Sequence, residues 1–337
     1  MKIVRTLNIY SLQAAWKRIQ EHNPTVKPTQ NYVYYCYLFF SFYARILKVG
    51  YWRMIFHYYA DNNEECIIPL MVNQKRKKIR SVSHYGRMDY DDIISSTSSK
   101  SFIAACLQKI CEIYPHYELN WKNISEQSVL YPILDRIAHK QEHSAAISLS
   151  ASYEQYYSSL TKHQRQNIRT AYNRLFTDNI SFDFQRYEKL NPISRPLWNQ
   201  CEAIYERRHE FDKVNYIRLL YNRITNPYHH ILTKHSEHKI YVINANDIPM
   251  AYMAGIYDEV QKTYYVPRLC INEQYRKYSP GIVLINETIK HLISQGAKVL
   301  DLMLGEESYK IAMGGELHNN YSLQTTTDEL LTHVYAS

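Results

Sequence analysis

The chain repeats one order of predicted elements, and this repetition limits its possible folds more than any other feature. In the first half, apolar runs at 56–60 and 66–72 flank a polar turn at 61–64, a pattern that predicts a β-hairpin. A short apolar run at 79–82 follows, and then apolar residues at helical spacing over 102–114. Hairpin, strand and helix in this order indicate a mixed α+β layer.

The second half shows the same order again. Strand-like runs lie at 239–243, 249–257, 263–271 and 299–304, and a helical pattern lies at 281–295. A long helix is also predicted over 153–176. A length of 337 residues allows two ordinary domains. We therefore predict an α+β protein with two tandem domains, residues 1–145 and 146–337, each a mixed, mostly antiparallel sheet flanked by helices.

Composition indicates a folded globular chain without a membrane span. Apolar residues make up 45% and charged residues 21% of the sequence, which excludes a disordered or fibrous protein. The aromatic-rich stretch 33–44 is too short to cross a bilayer, and the N-terminus lacks the apolar segment of a secretory signal. The six cysteines are scattered, with no C-x-x-C pattern. These features predict a cytoplasmic protein in a reducing compartment.

The net charge of +8 predicts an anionic partner. A nucleic-acid-binding module is one alternative, since a basic, tyrosine-rich chain can stack bases on aromatic rings. However, the basic residues concentrate in two separate segments, 75–80 and 162–174, so no DNA partner is expected. The cluster at 75–80 follows a strand, and a solvated turn is its simpler interpretation.

The segment Arg276-Lys277-Tyr278-Ser279-Pro280-Gly281 joins a predicted strand to a predicted helix. The first N–H groups of a helix have no intrahelical partner, and they attract anions such as a pyrophosphate. Glycine at position 281 permits close approach of the backbone to a ligand, and the two basic residues add positive charge. The segment therefore favours a phosphorylated ligand, with an ordinary helix cap as the alternative.

The R-x-x-S-x-G pattern of this segment resembles the Q/R-x-x-G-x-G/A pyrophosphate loop of the GNAT acyltransferases, which bind acyl-CoA there. Ser279 stands where that family usually has glycine. The segment Asp301-Leu-Met-Leu-Gly-Glu-Glu-Ser-Tyr-Lys310 resembles the D-F-x-x-G-x-E-x-Y-K signature of two-domain GNAT acyltransferases related to the cellulose-biosynthesis protein CelD. Further segments resemble the same family and lie at Ile67–Leu70, Asp89–Asp92, Leu160–Arg169 and Ser279–Leu284.

The segment from Tyr309 to Gly315 also resembles the F-K-x-x-F-G-G of the Fem transferases, which take amino acids from aminoacyl-tRNA. The two relatives share a doubled GNAT core but differ in the donor, which leaves both donors open. Together the resemblances cover about residues 10–317 and imply two tandem GNAT-like domains. They imply an acyl-CoA donor, with tRNA as a partner only under the alternative, and an N-terminal copy that binds no CoA and shapes the acceptor groove.

The resemblance also implies the residues of the site. CoA would lie between strands 263–271 and 299–304, with its pyrophosphate on the loop; the residues expected to bind it are Leu269, Ile271, Arg276, Lys277, Tyr278, Ser279 and Gly281. The acceptor would attack the thioester directly, so that no protein nucleophile is needed. Asp301 or Glu307 is the candidate base, Tyr309 the candidate acid, and Lys310 would stabilise negative charge or hold an anionic acceptor.

Arg165 and Arg169 are one helical turn apart, and they suit a phosphate or carboxylate on the acceptor, although a solvated helix face explains the same spacing. A metal site is not expected, because His229, His230, His235 and His238 lack the spacing of known ligand sets. The sequence thus predicts an N- or O-acyltransferase acting on a small-molecule, glycan or lipid-precursor acceptor of the cell envelope, with attachment to a membrane surface left open. A non-catalytic GNAT scaffold is the remaining alternative.

Overall fold

The computed structural model describes residues 1–23, 27, 30–44, 50–85, 88–208 and 237–336. The chain folds into two compact units: unit 1 contains Met1–His143 and His318–Ser337, and unit 2 contains Ser144–Leu317. The last strand and helix of the chain therefore belong to unit 1, whereas the sequence analysis kept them in the second domain.

Among the described residues, unit 1 combines a sheet with four longer helices and one single-turn helix. Its strands are β1 (Lys2–Thr6), β2 (Trp52–Asp61), β3 (Glu64–Asn73), β4 (Lys78–Arg80), β5 (Ile94–Ser95), β6 (Glu118–Ser125) and, from the C-terminal segment, β13 (Glu316–Thr326). Its longer helices are α1 (Gln13–His22), α2 (Tyr32–Ala44), α3 (Lys100–Ile113) and α10 (Thr327–Ala336), and α4 (Tyr131–Leu134) is a single turn.

Unit 2 also combines a sheet with flanking helices. Its strands are β7 (His139–Ser148), which enters from unit 1, β8 (Asp183–Tyr187), β9 (His238–Ala245), β10 (Ile248–Asp258), β11 (Thr263–Ile271) and β12 (Val299–Leu304). Its helices are α5 (Tyr153–Ser159), α6 (Lys162–Thr177), α7 (Arg195–Arg208), α8 (Pro280–Ser294) and α9 (Ser308–Ala312).

The two sheets share one topology. Unit 1 has the order β1-β2-β3-β4-β6-β13, and unit 2 has the order β8-β9-β10-β11-β12-β7. In each, an antiparallel hairpin leads to a parallel pair, β4 with β6 and β11 with β12, and the connection of each pair contains a helix, α3 or α8. The predicted fold class, two tandem domains of mixed and mostly antiparallel sheet flanked by helices, is confirmed.

The sixth strand explains why the boundary differs from the predicted one. In unit 1 this strand is β13, which pairs with β6 from Asn320↔Ser125 to Thr326↔Glu118. The strand that follows β6 along the chain, β7, pairs instead with β12 in unit 2. Leu323, Leu330 and Val334 complete the apolar core of unit 1, so the C-terminal segment is held there by burial as well as by pairing.

The Asp89–Asp92 turn is built into the core of unit 1. The Asp91 carboxylate accepts a hydrogen bond from the Ser83 N–H (2.6 Å), and the Asp92 carboxylate accepts bonds from the Ile93 and Val129 N–H groups (2.8 and 3.0 Å). Burial raises the pKa of Asp91 to about 6 and that of Asp92 to about 7. Both carboxyls thus tie loops of unit 1 together, which is a structural role.

Candidate active site

The two parallel strands of unit 2 separate after a short paired segment. Their register runs from Thr263↔Val299 to Tyr265↔Asp301 and stops there, although β11 continues to Ile271 and β12 to Leu304. The sequence-based expectation of a cleft between these strands requires such a separation. It leaves the far end of β11 open on the side of β12.

A β-bulge lies where the strands part. The β10–β11 register changes between Ala254↔Arg268 and Ile256↔Tyr265, so Gly255 alone faces Val266 and Pro267. Proline has no N–H to give to a neighbouring strand. The bulge requires glycine at position 255, because a Cβ there would lie 2.0 Å from the Tyr265 carbonyl oxygen.

A cavity of ≈ 1070 Å³, which we call the unit 2 cavity, lies beside this open strand end. Leu269 and Ile271 of β11 form part of its wall. The N-terminal ends of three helices also line it. Their N-cap residues are Thr161 for α6, Ser279 for α8 and Glu307 for α9. Because helix N-termini carry partial positive charge, two long helices, α6 and α8, make this cavity suited to an anionic ligand.

The starts of α6 and α8 differ in the donors that they leave available. Helix α6 begins with a capping box, in which the Thr161 hydroxyl accepts from the Gln164 N–H and the Gln164 side chain accepts from the Thr161 N–H (3.2 and 2.8 Å). Helix α8 has no side-chain cap and has Pro280 at its first position. The N–H of Gly281 is therefore the first donor of α8, and Gly281 lines the cavity.

Ser279 adopts the left-handed conformation at the start of α8, with φ 52°. Glycine occupies this conformation without steric cost, which explains why the resembled family has glycine at the equivalent position. The serine preserves the path of the loop at the expense of local backbone strain.

Replacing Ser279 by glycine is expected to raise the free energy of unfolding by about 0.5 kcal/mol, since relief of the left-handed strain exceeds the added chain entropy. Urea denaturation measures this change. Ser294→Gly is the matched control at the last residue of α8, where φ is not positive, and it is expected to lower stability by about 0.5 kcal/mol or less. A lower stability for Ser279→Gly would contradict the strain argument.

The C-terminal end of α6 holds the loop before α8. The Arg174 guanidinium donates to the Lys277 carbonyl oxygen (2.9 Å), and Asp178 accepts from both the Lys277 ammonium and the Tyr278 hydroxyl (2.7 and 2.8 Å). The hydrogen bond to Asp178 raises the pKa of Lys277 to about 12, and the pKa of Asp178 is lowered by the same two donors. Lys277 and Tyr278 thus fasten the loop and are not among the residues lining the cavity.

The other expected cofactor residues lie at the cavity. Leu269, Ile271, Arg276, Ser279 and Gly281 all line it. The Arg276 guanidinium is exposed and forms an ion pair with Glu273 (3.1 Å). Glu273 also lines the cavity, as Glu307 does, and it was not expected there from the sequence. A phosphate on the loop would compete with Glu273 for this guanidinium.

The segment from Asp301 to Lys310 forms the turn between β12 and α9. The Asp301 carboxylate is buried and accepts from the Met303 N–H (2.8 Å), which fixes Met303 at φ 59°. The Lys310 side chain is 2% exposed, and its ammonium donates to the carbonyl oxygens of Met303, Leu304 and Gly305. These contacts hold the turn in shape.

Glu307 and Tyr309 line the unit 2 cavity, whereas Asp301 and Lys310 do not. The Glu307 carboxylate is 42% exposed and lies 3.0 Å from the Lys310 ammonium. The structure therefore separates the four residues expected to be catalytic. Two carry polar groups at the cavity wall, and two are buried and do not line the cavity.

The two arginines expected to bind the acceptor lie elsewhere. Arg165 donates to the Ser158 carbonyl oxygen (3.1 Å) and to the Leu160 carbonyl oxygen, so it caps the end of α5. Arg169 is exposed on α6, and neither arginine lines the unit 2 cavity. The solvated or structural interpretation of this spacing, which the sequence left open, agrees with these positions.

The sequence analysis missed the residues that the first turn of α6 brings to the cavity. His163, Gln164 and Asn167 are wall residues. A single helix over 153–176 was predicted, but the chain breaks between α5 and α6 at Leu160. The T-x-x-Q capping box that starts at Thr161 is the sequence signal that would have found this second helix start.

Within the described part of the chain, no three or more His, Cys, Asp or Glu side chains come together as a metal site. His229, His230 and His235 lie outside the described residues. None of the helices described is both long enough and apolar enough to cross a membrane.

This topology, with a loop and cavity at the separation of two parallel strands, is that of the GNAT fold. Residues 162–311 match the family model of the acetyltransferase (GNAT) domain. The matched segment begins at the start of α6 and ends in α9, so it includes every wall residue of the unit 2 cavity except Thr161 and Ala312. The match to the GNAT domain model thus lies within unit 2. No curated protein matches the sequence.

Solved structures with the same fold cover nearly the whole chain. The C-terminal domain of a putative lysylphosphatidylglycerol synthetase from Agrobacterium fabrum is similar with a TM-score of 0.58, at 10% identity over 97% of this chain and 96% of that one. FemX gives 0.57, at 10% identity over 98% and 99%. A tandem GNAT protein from the clavulanic acid biosynthesis pathway gives 0.50, at 7% identity over 96% and 98%. These similarities show that the chain has the fold of these proteins, one of which is a tandem GNAT protein.

Proposed function

We propose that this protein is an acyl-CoA-dependent N- or O-acyltransferase. The observation that carries the proposal is the unit 2 cavity, at which the uncapped start of α8 meets the open end of β11. The helix start would hold the pyrophosphate of CoA, with Arg276 beside it. Leu269 and Ile271 would contact the pantetheine arm along the strand.

Among the residues expected to act in catalysis, the two at the cavity wall have access to a bound substrate. Glu307 would accept a proton from the attacking amine or hydroxyl, and Tyr309 would donate one to the leaving thiolate. Proton transfer by a positioned side chain contributes roughly 10²–10⁴-fold to a rate. Asp301 and Lys310 would act indirectly, by holding the turn that presents Glu307 and Tyr309.

We further propose that unit 1 is the degenerate copy, which binds no CoA and contributes to acceptor binding. In unit 1 the helix equivalent to α8 is α3, and its start is capped by Ser99, whose hydroxyl accepts from the Phe102 N–H (3.3 Å). Helix α8 has no such side-chain cap, so its start is the more open of the two to an anion.

Calorimetric titration with acetyl-CoA, longer acyl-CoAs and free CoA tests the donor. We expect binding by the wild type and a loss of about tenfold in affinity for Arg276→Gln, because a charge-assisted hydrogen bond contributes about 1.5–3 kcal/mol. Lys189→Gln removes an exposed charge of unit 2 away from the cavity, and it should bind as the wild type does. Absence of binding to every CoA compound, in folded protein, would refute the donor.

Aminoacyl-tRNA-dependent transfer is the second candidate. Similarity of fold to FemX and to a lysylphosphatidylglycerol synthetase domain supports it, and so does the net charge of +8. Titration with charged and uncharged tRNA separates the candidates, since tRNA binding would depend steeply on salt. Under either donor, the names of these relatives favour a cell-envelope or lipid-linked acceptor. We also propose a cytoplasmic location, in keeping with six cysteines that form no disulfide.

A further inference from the structure

Unit 1 contains a second cavity, which lies far along the chain from the residues assigned to transfer. Its volume is ≈ 830 Å³, within the range of small-ligand sites. The end of β1, the start of β2 and the turn after β3 form its walls. We call it the unit 1 basic pocket, because Arg5, Arg53 and Lys75 line it and none of its described wall residues is acidic.

Neutral groups hold the three cations of this pocket. The Arg5 guanidinium lies over the Tyr114 ring, 5.3 Å from its centroid, and the Lys75 ammonium lies 4.5 Å from the centroid of Tyr51. The Arg53 guanidinium donates to the carbonyl oxygens of Gly50 and Trp52 (3.0 and 2.8 Å). Among the residues that the structure describes, none of the three cations takes part in an ion pair.

Some other cations of unit 1 do have acidic partners. Arg18 pairs with Glu65, Lys78 with Glu118, and Lys109 with Glu112. The buried His57, which pairs with Arg5 in the β1–β2 register, stays neutral near pH 7, since burial lowers its pKa to about 4. Three positive charges that converge without a carboxylate repel one another, and an anion in the pocket relieves this repulsion.

The neighbouring groups favour phosphate over a simple carboxylate. Thr6, Asn8 and Gln74 also line the pocket and supply neutral hydrogen-bond donors beside the cations. Guanidinium groups match the oxygens of phosphate in bidentate geometry. Tyr51 is 62% exposed, and its ring provides a flat surface for an organic part of the ligand.

We propose that the unit 1 basic pocket binds a phosphate-bearing ligand, held by Arg5, Arg53 and Lys75. The phosphate belongs to a soluble metabolite or to a lipid headgroup, two sources with the same recognition chemistry. The proposal does not depend on the donor used by unit 2. It also gives a use to Lys75, one member of the basic cluster at 75–80 for which the sequence favoured a solvated turn.

Calorimetric titration with inorganic pyrophosphate tests the pocket. Each of Arg5→Gln, Arg53→Gln and Lys75→Gln should weaken binding about tenfold, the effect of one lost charge-assisted bond. Lys100→Gln is the matched control, because Lys100 starts the same helix, α3, whose C-terminal cap is the Tyr114 beneath Arg5. Arg53→Lys keeps the charge but loses the bidentate geometry, so its affinity should lie between those of Arg53→Gln and the wild type. Unchanged affinity in all three glutamine variants would overturn the proposal.

A local readout separates this pocket from the unit 2 cavity. Acylation of lysines by an amine-reactive reagent, followed by mass spectrometry, should show that pyrophosphate protects Lys75 and leaves Lys100 reactive. The protection should persist in Arg276→Gln, which weakens the unit 2 cavity alone. Protection of Lys75 that disappears with Arg276→Gln would place the anion in unit 2 and refute the pocket.

Vesicles identify the source of the phosphate. Binding to phosphatidylglycerol vesicles, but not to phosphatidylcholine vesicles, with loss in the three glutamine variants, assigns a lipid headgroup. Binding to pyrophosphate without binding to either vesicle assigns a soluble ligand. Binding of a short RNA duplex that neither pyrophosphate nor vesicles displace would contradict the proposal and make the pocket part of an RNA surface.

Discussion

Gly255→Ala is expected to lower the free energy of unfolding by about 3 kcal/mol or more, as strong overpacking of a buried site does. The added Cβ would lie 2.0 Å from the Tyr265 carbonyl oxygen and 3.0 Å from two carbons of the Tyr264 ring. Neither neighbour can move easily to make room for the added Cβ. The carbonyl belongs to β11, and the Tyr264 ring is fully buried with its hydroxyl donating to the Lys239 carbonyl oxygen (2.9 Å). Urea denaturation followed by circular dichroism measures the loss.

Gly296→Ala is the control for this change. Gly296 also lies in unit 2, at φ 72°, but no atom lies within 4 Å of an added Cβ. Backbone strain alone should then cost about 1 kcal/mol. The affinity of Gly255→Ala for CoA should fall as well, since moving β11 away from β10 displaces Leu269 and Ile271. Equal stability losses in the two variants would show that the bulge does not need glycine at position 255.

Much of the fold could be predicted from periodicity and turn residues. The hairpin β2–β3 and the segment from β9 to β12 follow patterns that depend on local alternation, and they were predicted with ends close to those observed. The sixth strands could not be assigned in this way. Whether β7 or β13 pairs with β6 is decided by long-range burial, such as that of Leu323 and Leu330 in unit 1.

The candidate site was predictable where the sequence specifies backbone geometry. Arg276, Ser279 and Gly281 were expected on a loop before a helix, and they line a cavity there, because a strand, a loop and a helix start define their surroundings. The side-chain roles at 301–310 were not predictable, since burial decides them. A lysine and an aspartate in a family signature indicate chemistry or support equally well until their depth is known, and here both are buried.

Lys310→Met is expected to lower the free energy of unfolding by about 3 kcal/mol, because it removes a buried charged donor and leaves its acceptors without a partner. The carbonyl oxygens of Met303, Leu304 and Gly305 would lose the ammonium that they share. Methionine keeps most of the side-chain volume, so the effect reports the lost hydrogen bonds and not a cavity. Urea denaturation of the variant and the wild type measures it.

Glu307→Gln is the control that separates support from catalysis. It removes the ion pair with Lys310 but leaves the ammonium on its three carbonyl oxygens, and since Glu307 is 42% exposed the cost should be below about 1 kcal/mol. If Lys310 instead met the substrate, Lys310→Met would leave the unfolding curve unchanged and lower only the turnover. A stable Lys310→Met variant would therefore refute the supporting role. If Lys310→Met is destabilised while Glu307→Gln is stable but inactive, the two residues have different roles. Lys310 then holds the turn, and Glu307 takes part in catalysis.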